Sequence, residues 1–189
     1  MKRLLMALVV GAFLFPMPVR AADRCYSPDE VNAEQVLRLH SELMVITVTC
    51  KQGSTGRDLV RAYTGFTQRH VGQIKKAEET MARYYAKTSG GNGLSQLDKL
   101  RTKLANEFGQ KSAGVSAPVF CAERRDMVTT MYDSPPASLE KTSLTLYGEA
   151  TTYLPSCGGE VKVAMADSPV VKKPKAAATG SSYPQRKPK

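Results

Sequence analysis

From Ser27 to Cys50 the apolar positions Val36, Leu39, Leu43, Ile46 and Cys50 recur at alternating spacings of three and four residues. That interval lines side chains along one stripe of an α-helix. The start of the helix is written just ahead of it: Ser27 as N-cap, Pro28 in the first turn, and Glu30 placed to close a capping box. The final stretch, Val45 to Thr49, is β-branched and on propensity alone favours a strand. The helix is preferred because only the segment Glu160 to Ala164 looks extended enough to pair with such a strand.

A longer helix is expected from about Thr55 to Lys87, with Leu59, Tyr63, Phe66, His70, Ile74, Ala77, Met81 and Tyr84 on its buried face. Gly65 and Gly72 weaken it and predict a bend. Ser89 to Gly93 reads as a turn. A third helix follows from Leu94 to Phe108, buried through Leu97, Leu100, Leu104 and Phe108, with Ser95 and Asp98 as its expected caps and the Gly109 to Gly114 segment as its end. The fourth begins around Ser116-Ala117-Pro118 and carries Phe120, Cys121, Met127, Val128 and Met131. After Asp133 to Pro136 a shorter helical piece runs from about Ala137 to Tyr147, and from Gly148 the pattern is irregular. Together these predict an all-α fold, an antiparallel bundle of about four helices.

The chain ends change the picture. Lys2 and Arg3 precede a twelve-residue apolar run, Leu4 to Phe15, followed by two prolines and Val19-Arg20-Ala21. This is the layout of a signal peptide over residues 1–21, and the run is well short of the roughly 20 residues that span a bilayer. Residues 22–167 then form the domain, which holds 18 basic and all 17 acidic residues. Near-neutral charge sets that body apart from a nucleic-acid-binding surface. Residues 168–189 carry four prolines, no acidic residue and six basic ones: Lys172, Lys173, Lys175, Arg186, Lys187 and Lys189. Such a segment has little to bury and is expected to be a disordered tail.

Four cysteines in an exported chain predict two disulfides. A helix from residue 27 to residue 50 is roughly 35 Å long, which separates Cys25 from Cys50 far beyond the roughly 5–6 Å between disulfide Cα atoms. Two pairings survive that argument. The up-down course of the bundle favours Cys50–Cys121, with Cys25–Cys157 joining the chain ends.

A search for chemistry returns few candidates. The sequence holds no G-x-S-x-G, H-E-x-x-H, Walker A or G-x-G-x-x-G motif, and no cysteine pair at zinc or haem spacing. Neither a metal nor a cofactor is expected. Glu78 and Glu79 diverge by about 100° around a helix and read as a solvated face, while Tyr84 and Tyr85 read as core and rim. His40 and His70, the only histidines, fall within roughly one helical turn of the same height if the first two helices form a hairpin. They are candidates for a pH-sensing pair, whose joint protonation would destabilise the protein below about pH 6. The expected function is a non-catalytic interaction or structural module of the bacterial cell envelope, periplasmic or secreted. Its basic tail would tether it to an anionic polymer or membrane surface; export argues against nucleic acid as the partner. The alternative is an envelope enzyme, hydrolase-like, working through His40 or His70.

Overall fold

The computed structural model describes residues 24–52, 56–148 and 151–158. The expected signal peptide, the Glu160 to Ala164 segment and all six tail cations lie outside them. The described residues are all-helical: α1 (Pro28–Cys50), α2 (Gly56–Arg69), α3 (Val71–Thr88), α4 (Gly93–Ala113), α5 (Ala117–Asp133) and α6 (Leu139–Tyr147), with a short 3-10 turn, Pro136–Ser138, before α6. Six α-helices therefore stand where about four were expected. No described helix is long and apolar enough to cross a membrane.

The first helix begins as its sequence specifies, with the Ser27 N–H donating to the Glu30 carboxylate at 2.7 Å. It also runs intact through its β-branched end, where the Thr47 hydroxyl donates to the Leu43 carbonyl at 2.7 Å. Its environment differs from expectation. Fourteen of its 23 residues are buried, among them Glu34, Gln35, Arg38, Ser41, Glu42 and Thr47. A helix facing solvent on one side cannot bury that many, so α1 is enclosed all round rather than along one stripe. It packs against α2, α3, α4, α5 and α6.

The single helix expected from Thr55 to Lys87 is divided at His70, whose φ of −102° and ψ of 13° interrupt the helical geometry. Hydrogen bonds bridge the break, from His70 N to Phe66 O and from Ile74 N to His70 O, both 3.0 Å. The division lets α2 lie on α5 while α3 lies on α1 and α4. Neither glycine makes the bend. Gly65 instead admits Tyr132, whose Cε2 would stand 2.4 Å from an added Cβ, and Gly72 faces open space.

Asn92, not Ser95 or Asp98, caps α4; its side chain accepts the Leu94 N–H at 3.0 Å. Gly93 is required beside it, because a Cβ there would meet the Ala82 carbonyl of α3 at 2.2 Å. Nor does α4 stop at Phe108. It continues through Gly109 to Ala113. A mid-helix glycine costs about 1 kcal/mol, and burial of Phe108 with the Glu107–Lys111 pair at 2.8 Å offsets it.

Candidate functional site

The irregular C-terminal end of the domain is fixed as a strap. Tyr26 N donates to Pro155 O at 2.8 Å and Cys157 N donates to Tyr26 O at 2.7 Å, which makes an isolated parallel bridge between the chain ends. The Cys25–Cys157 disulfide, with Cα atoms 5.0 Å apart, lies immediately beside it. At the opposite end of α1, Cys50 is joined to Cys121 of α5 with Cα atoms 5.5 Å apart. Both pairings are the expected ones, Cys25–Cys50 being excluded by the length of α1.

Beneath the strap lies a layer of buried charge. Arg38, 2 % exposed, donates to Glu107 of α4 at 2.7 Å, to Glu34 at 3.1 Å and to the Thr151 carbonyl at 2.8 Å. The Tyr153 N–H donates to Glu34 at 3.1 Å, and the Tyr153 hydroxyl to Glu107 at 3.0 Å. Burial pushes the Glu34 carboxyl above its ordinary range, with Arg38 working against it. Burial also opposes charge on Arg38, but Glu107 and Glu34 outweigh it and hold the guanidinium protonated. For Glu107, burial likewise raises the pKa, yet Lys111 and Arg38 overcome it and bring the carboxyl down to about 2. A parallel arrangement serves Glu42, which receives Arg124 at 3.3 Å and the Tyr147 hydroxyl.

Over this layer the strap, the end of α3 and the face of α4 enclose a cleft of about 270 Å³. Tyr26, Tyr84, Tyr85 and Tyr153 contribute to its walls, with Arg24, Lys99 and Lys103 also lining it. The rings are packed edge to face, Tyr26 on Tyr84 at 4.9 Å and Tyr84 on Tyr85 at 5.3 Å between centroids. Lys103 Nζ stands 3.4 Å from the centre of the Tyr153 ring. The cleft shares Lys99, Lys103 and Tyr153 with a shallow groove of about 730 Å³ along α4, whose other walls include Asp98, Thr102, Asn106, Glu107 and Gln110. A second cleft, about 350 Å³, adjoins the Cys50–Cys121 disulfide and includes Leu59, Pro118 and Arg125.

The structure gives the two histidines separate surroundings. His40 of α1 is hydrogen-bonded to the Tyr63 hydroxyl at 3.0 Å and stacked on that ring. Burial, and then the Arg101 charge, lower its pKa from 6.5 to about 4. His70 is fully buried, packs on Phe66 at 4.6 Å and faces the Ser134 hydroxyl at 3.4 Å. Its pKa is also lowered, by burial and by Arg69. Neither lines the clefts at α4 or at Cys50–Cys121. Glu78 pairs with Arg101 at 3.3 Å while Glu79 faces Arg83 at 4.0 Å, so the two carboxylates diverge. Among the described residues no cluster of three or more His, Cys, Asp or Glu is arranged to hold a metal ion.

Pattern reasoning missed the residues that build the cleft. Lys99 and Lys103 differ in no sequence feature from other exposed lysines, and Tyr153 lies in a stretch without periodicity. The available signal was the closure of the chain ends by Cys25–Cys157, which brings Arg24 and Tyr26 to Tyr153. No family model matches this chain, and no curated protein or solved structure is similar to it.

Proposed function

We propose that the protein is an exported, non-catalytic module of the bacterial cell envelope that holds to an anionic surface or polymer. The observation that carries this reading is the segregation of charge: six basic and no acidic residues in 168–189, following a body with 18 basic and 17 acidic ones. A leader over residues 1–21 delivers it to the periplasm or the medium, a destination compatible with four cysteines paired and none free. An antiparallel course of the longer helices would set the two disulfides at opposite ends of the body and leave the tail's root beside the strap. The alternative, a hydrolase working through His40 or His70, has no observation in its favour, since His70 is sealed and His40 is engaged with Tyr63.

Near an anionic membrane each Lys or Arg contributes on the order of 1 kcal/mol, so six tail cations give loose, reversible attachment. The test compares the full chain with a full-length variant whose six tail cations are changed to Gln, by co-sedimentation with phosphatidylglycerol vesicles. Salt is raised from about 50 to about 500 mM, roughly a threefold change in Debye length. Binding of the parent should fall steeply with salt, and the variant should not bind. Equal sedimentation of both across that range refutes the tether.

A further inference from the structure

The cleft at the strap has a composition unlike the rest of the surface. Three cations line it, Arg24, Lys99 and Lys103, and no carboxylate does among the described residues. Among the described residues none of the three makes an ion pair; Lys103 is held instead over the Tyr153 ring at 3.4 Å. A cation resting on an aromatic face gains about 0.5–1 kcal/mol at an exposed site and keeps its three N–H donors for another partner. The tyrosines stay protonated, because burial raises the pKa of Tyr26, Tyr84 and Tyr85. They add no negative charge; Tyr26 and Tyr84 are buried, the Tyr26 and Tyr85 hydroxyls meet each other at 3.2 Å, and the half-buried Tyr85 offers ring surface.

One hydroxyl in this wall is unspent. Tyr84 is 6 % exposed, and its buried Oη has no hydrogen-bond partner among the described residues, while the neighbouring Thr88 hydroxyl donates to the Tyr84 carbonyl at 2.9 Å. A buried donor left without a partner costs about 1–3 kcal/mol, which a ligand hydroxyl relieves. Thr88, Ser89 and Gln96 offer further neutral hydrogen-bonding groups at the rim. A half-buried ring, that of Tyr85, for the apolar face of a sugar, hydroxyls and an amide for its own hydroxyls, and cations without ion pairs among the described residues for an acid group occur together here.

We propose that this cleft binds an acidic carbohydrate, a sugar ring bearing a carboxylate or a phosphate. The carbonyl end of α3 carries partial negative charge, so the acid group sits on the α4 side against Lys99 and Lys103. The ring lies toward Tyr84, Tyr85 and the Thr88–Ser89 rim. At about 270 Å³ the cleft is near the lower bound of about 300 Å³ for ligand pockets and suits one ring. The adjoining α4 groove also holds Asp98 and Glu107, whose carboxylates repel a second acidic ring, so the site takes a single acidic ring at its Lys99–Lys103 end. The proposal goes beyond the tether reading, because it gives the body a site that does not depend on the tail.

The test uses the full chain throughout. Calorimetric titration with galacturonate supplies the carboxylate sugar, mannose 6-phosphate the phosphate sugar, the methyl ester of galacturonate the neutral ring, and inorganic phosphate the charge without a ring. At least one acidic sugar should bind the parent. Lys99→Gln with Lys103→Gln should weaken it about tenfold or more, and neutralising the six tail cations should change it less than about twofold. The ester and inorganic phosphate should each bind about tenfold more weakly, a factor of ten corresponding to about 1.4 kcal/mol. Both lysines are exposed, and Lys99→Gln alone, which leaves Lys103 over Tyr153, is the control for disturbance of the strap. Parent-like binding by the double variant, no binding of either acidic sugar, or inorganic phosphate binding as tightly as the sugars would each overturn the proposal. Loss of sugar binding only when the tail is neutralised also overturns it and leaves the tether standing. Intact sugar binding with tail-independent vesicle sedimentation does the reverse.

Discussion

Replacing Arg38 by Met removes the guanidinium from the centre of the buried charge layer while keeping an unbranched side chain in its place. Three acceptors lose a donor: Glu107, Glu34 and the Thr151 carbonyl. Glu107 keeps Lys111 and Tyr153. Glu34 is left fully buried and without its guanidinium partner, holding the Tyr153 N–H. Breaking a buried ion pair by removing one partner costs about 3–5 kcal/mol, and that is the expected loss at pH 7. Its origin is a stranded negative charge, so a second change should relieve it. Glu34→Gln added to Arg38→Met keeps a neutral acceptor for the Tyr153 N–H and should restore about 1–3 kcal/mol, although Glu34→Gln alone should destabilise. The pH dependence has a defined sign. Without Arg38 the folded-state pKa of Glu34 lies still further above its unfolded value. Stability is then lost as pH rises from the unfolded value towards the folded one, and the deficit of Arg38→Met should be smaller at pH 5 than at pH 7. Urea unfolding followed by circular dichroism, with disulfides intact, measures all four corners of this cycle. If Arg38→Met loses less than about 1 kcal/mol, or if Glu34→Gln adds its own cost in the Arg38→Met background, the reasoning from a shared buried charge is wrong.

Two further outcomes follow from the packing. His40 is neutral in the fold, its pKa lowered from 6.5 to about 4, so the unfolded chain takes up the proton first. Stability should fall as pH drops from about 6.5 to about 4 and level off below, by about 3 kcal/mol; His40→Gln should flatten most of this step in denaturation curves at pH 7, 5 and 4, and an unchanged slope counts against it. Gly93→Ala drives a methyl into the Ala82 carbonyl; overpacking of this kind costs about 1–3 kcal/mol, and a thermal midpoint equal to the parent's would show that α3 and α4 separate freely.

The elements most legible in the sequence were those controlled by local chemistry. The Ser27–Pro28–Glu30 start and the entry of α5 at Ala117 follow from capping and apolar spacing within a few residues. The disulfide pairing was legible in two steps: the length of α1 excluded Cys25–Cys50, and the expected up-down course of the helices favoured Cys50–Cys121 of the two pairings left. What escaped depends on distant partners. Glu34, Arg38 and Glu42 lie off the apolar stripe, and nothing in its spacing marks them as buried. Their burial rests on Glu107, Arg124, Tyr147, Thr151 and Tyr153, which lie 69 to 119 residues away. The break at His70 escaped for a similar reason: its cause is the change of packing partner between α2 and α3, and local glycines pointed elsewhere. The cleft was hidden because one of its walls, the strap, has no pattern of its own.

The strap also determines how the molecule bears load. Tension applied between residues on either side of the described body enters at Cys25 and leaves at Cys157, two positions 132 residues apart in sequence and 5.0 Å apart in space. A covalent bond short-circuits everything between them, so no helix is stretched and no core residue is pulled from its neighbours. Drawn by its two ends, the oxidised body transmits force as a single knot of fixed length. After reduction the same pull would act first on two backbone hydrogen bonds at Tyr26.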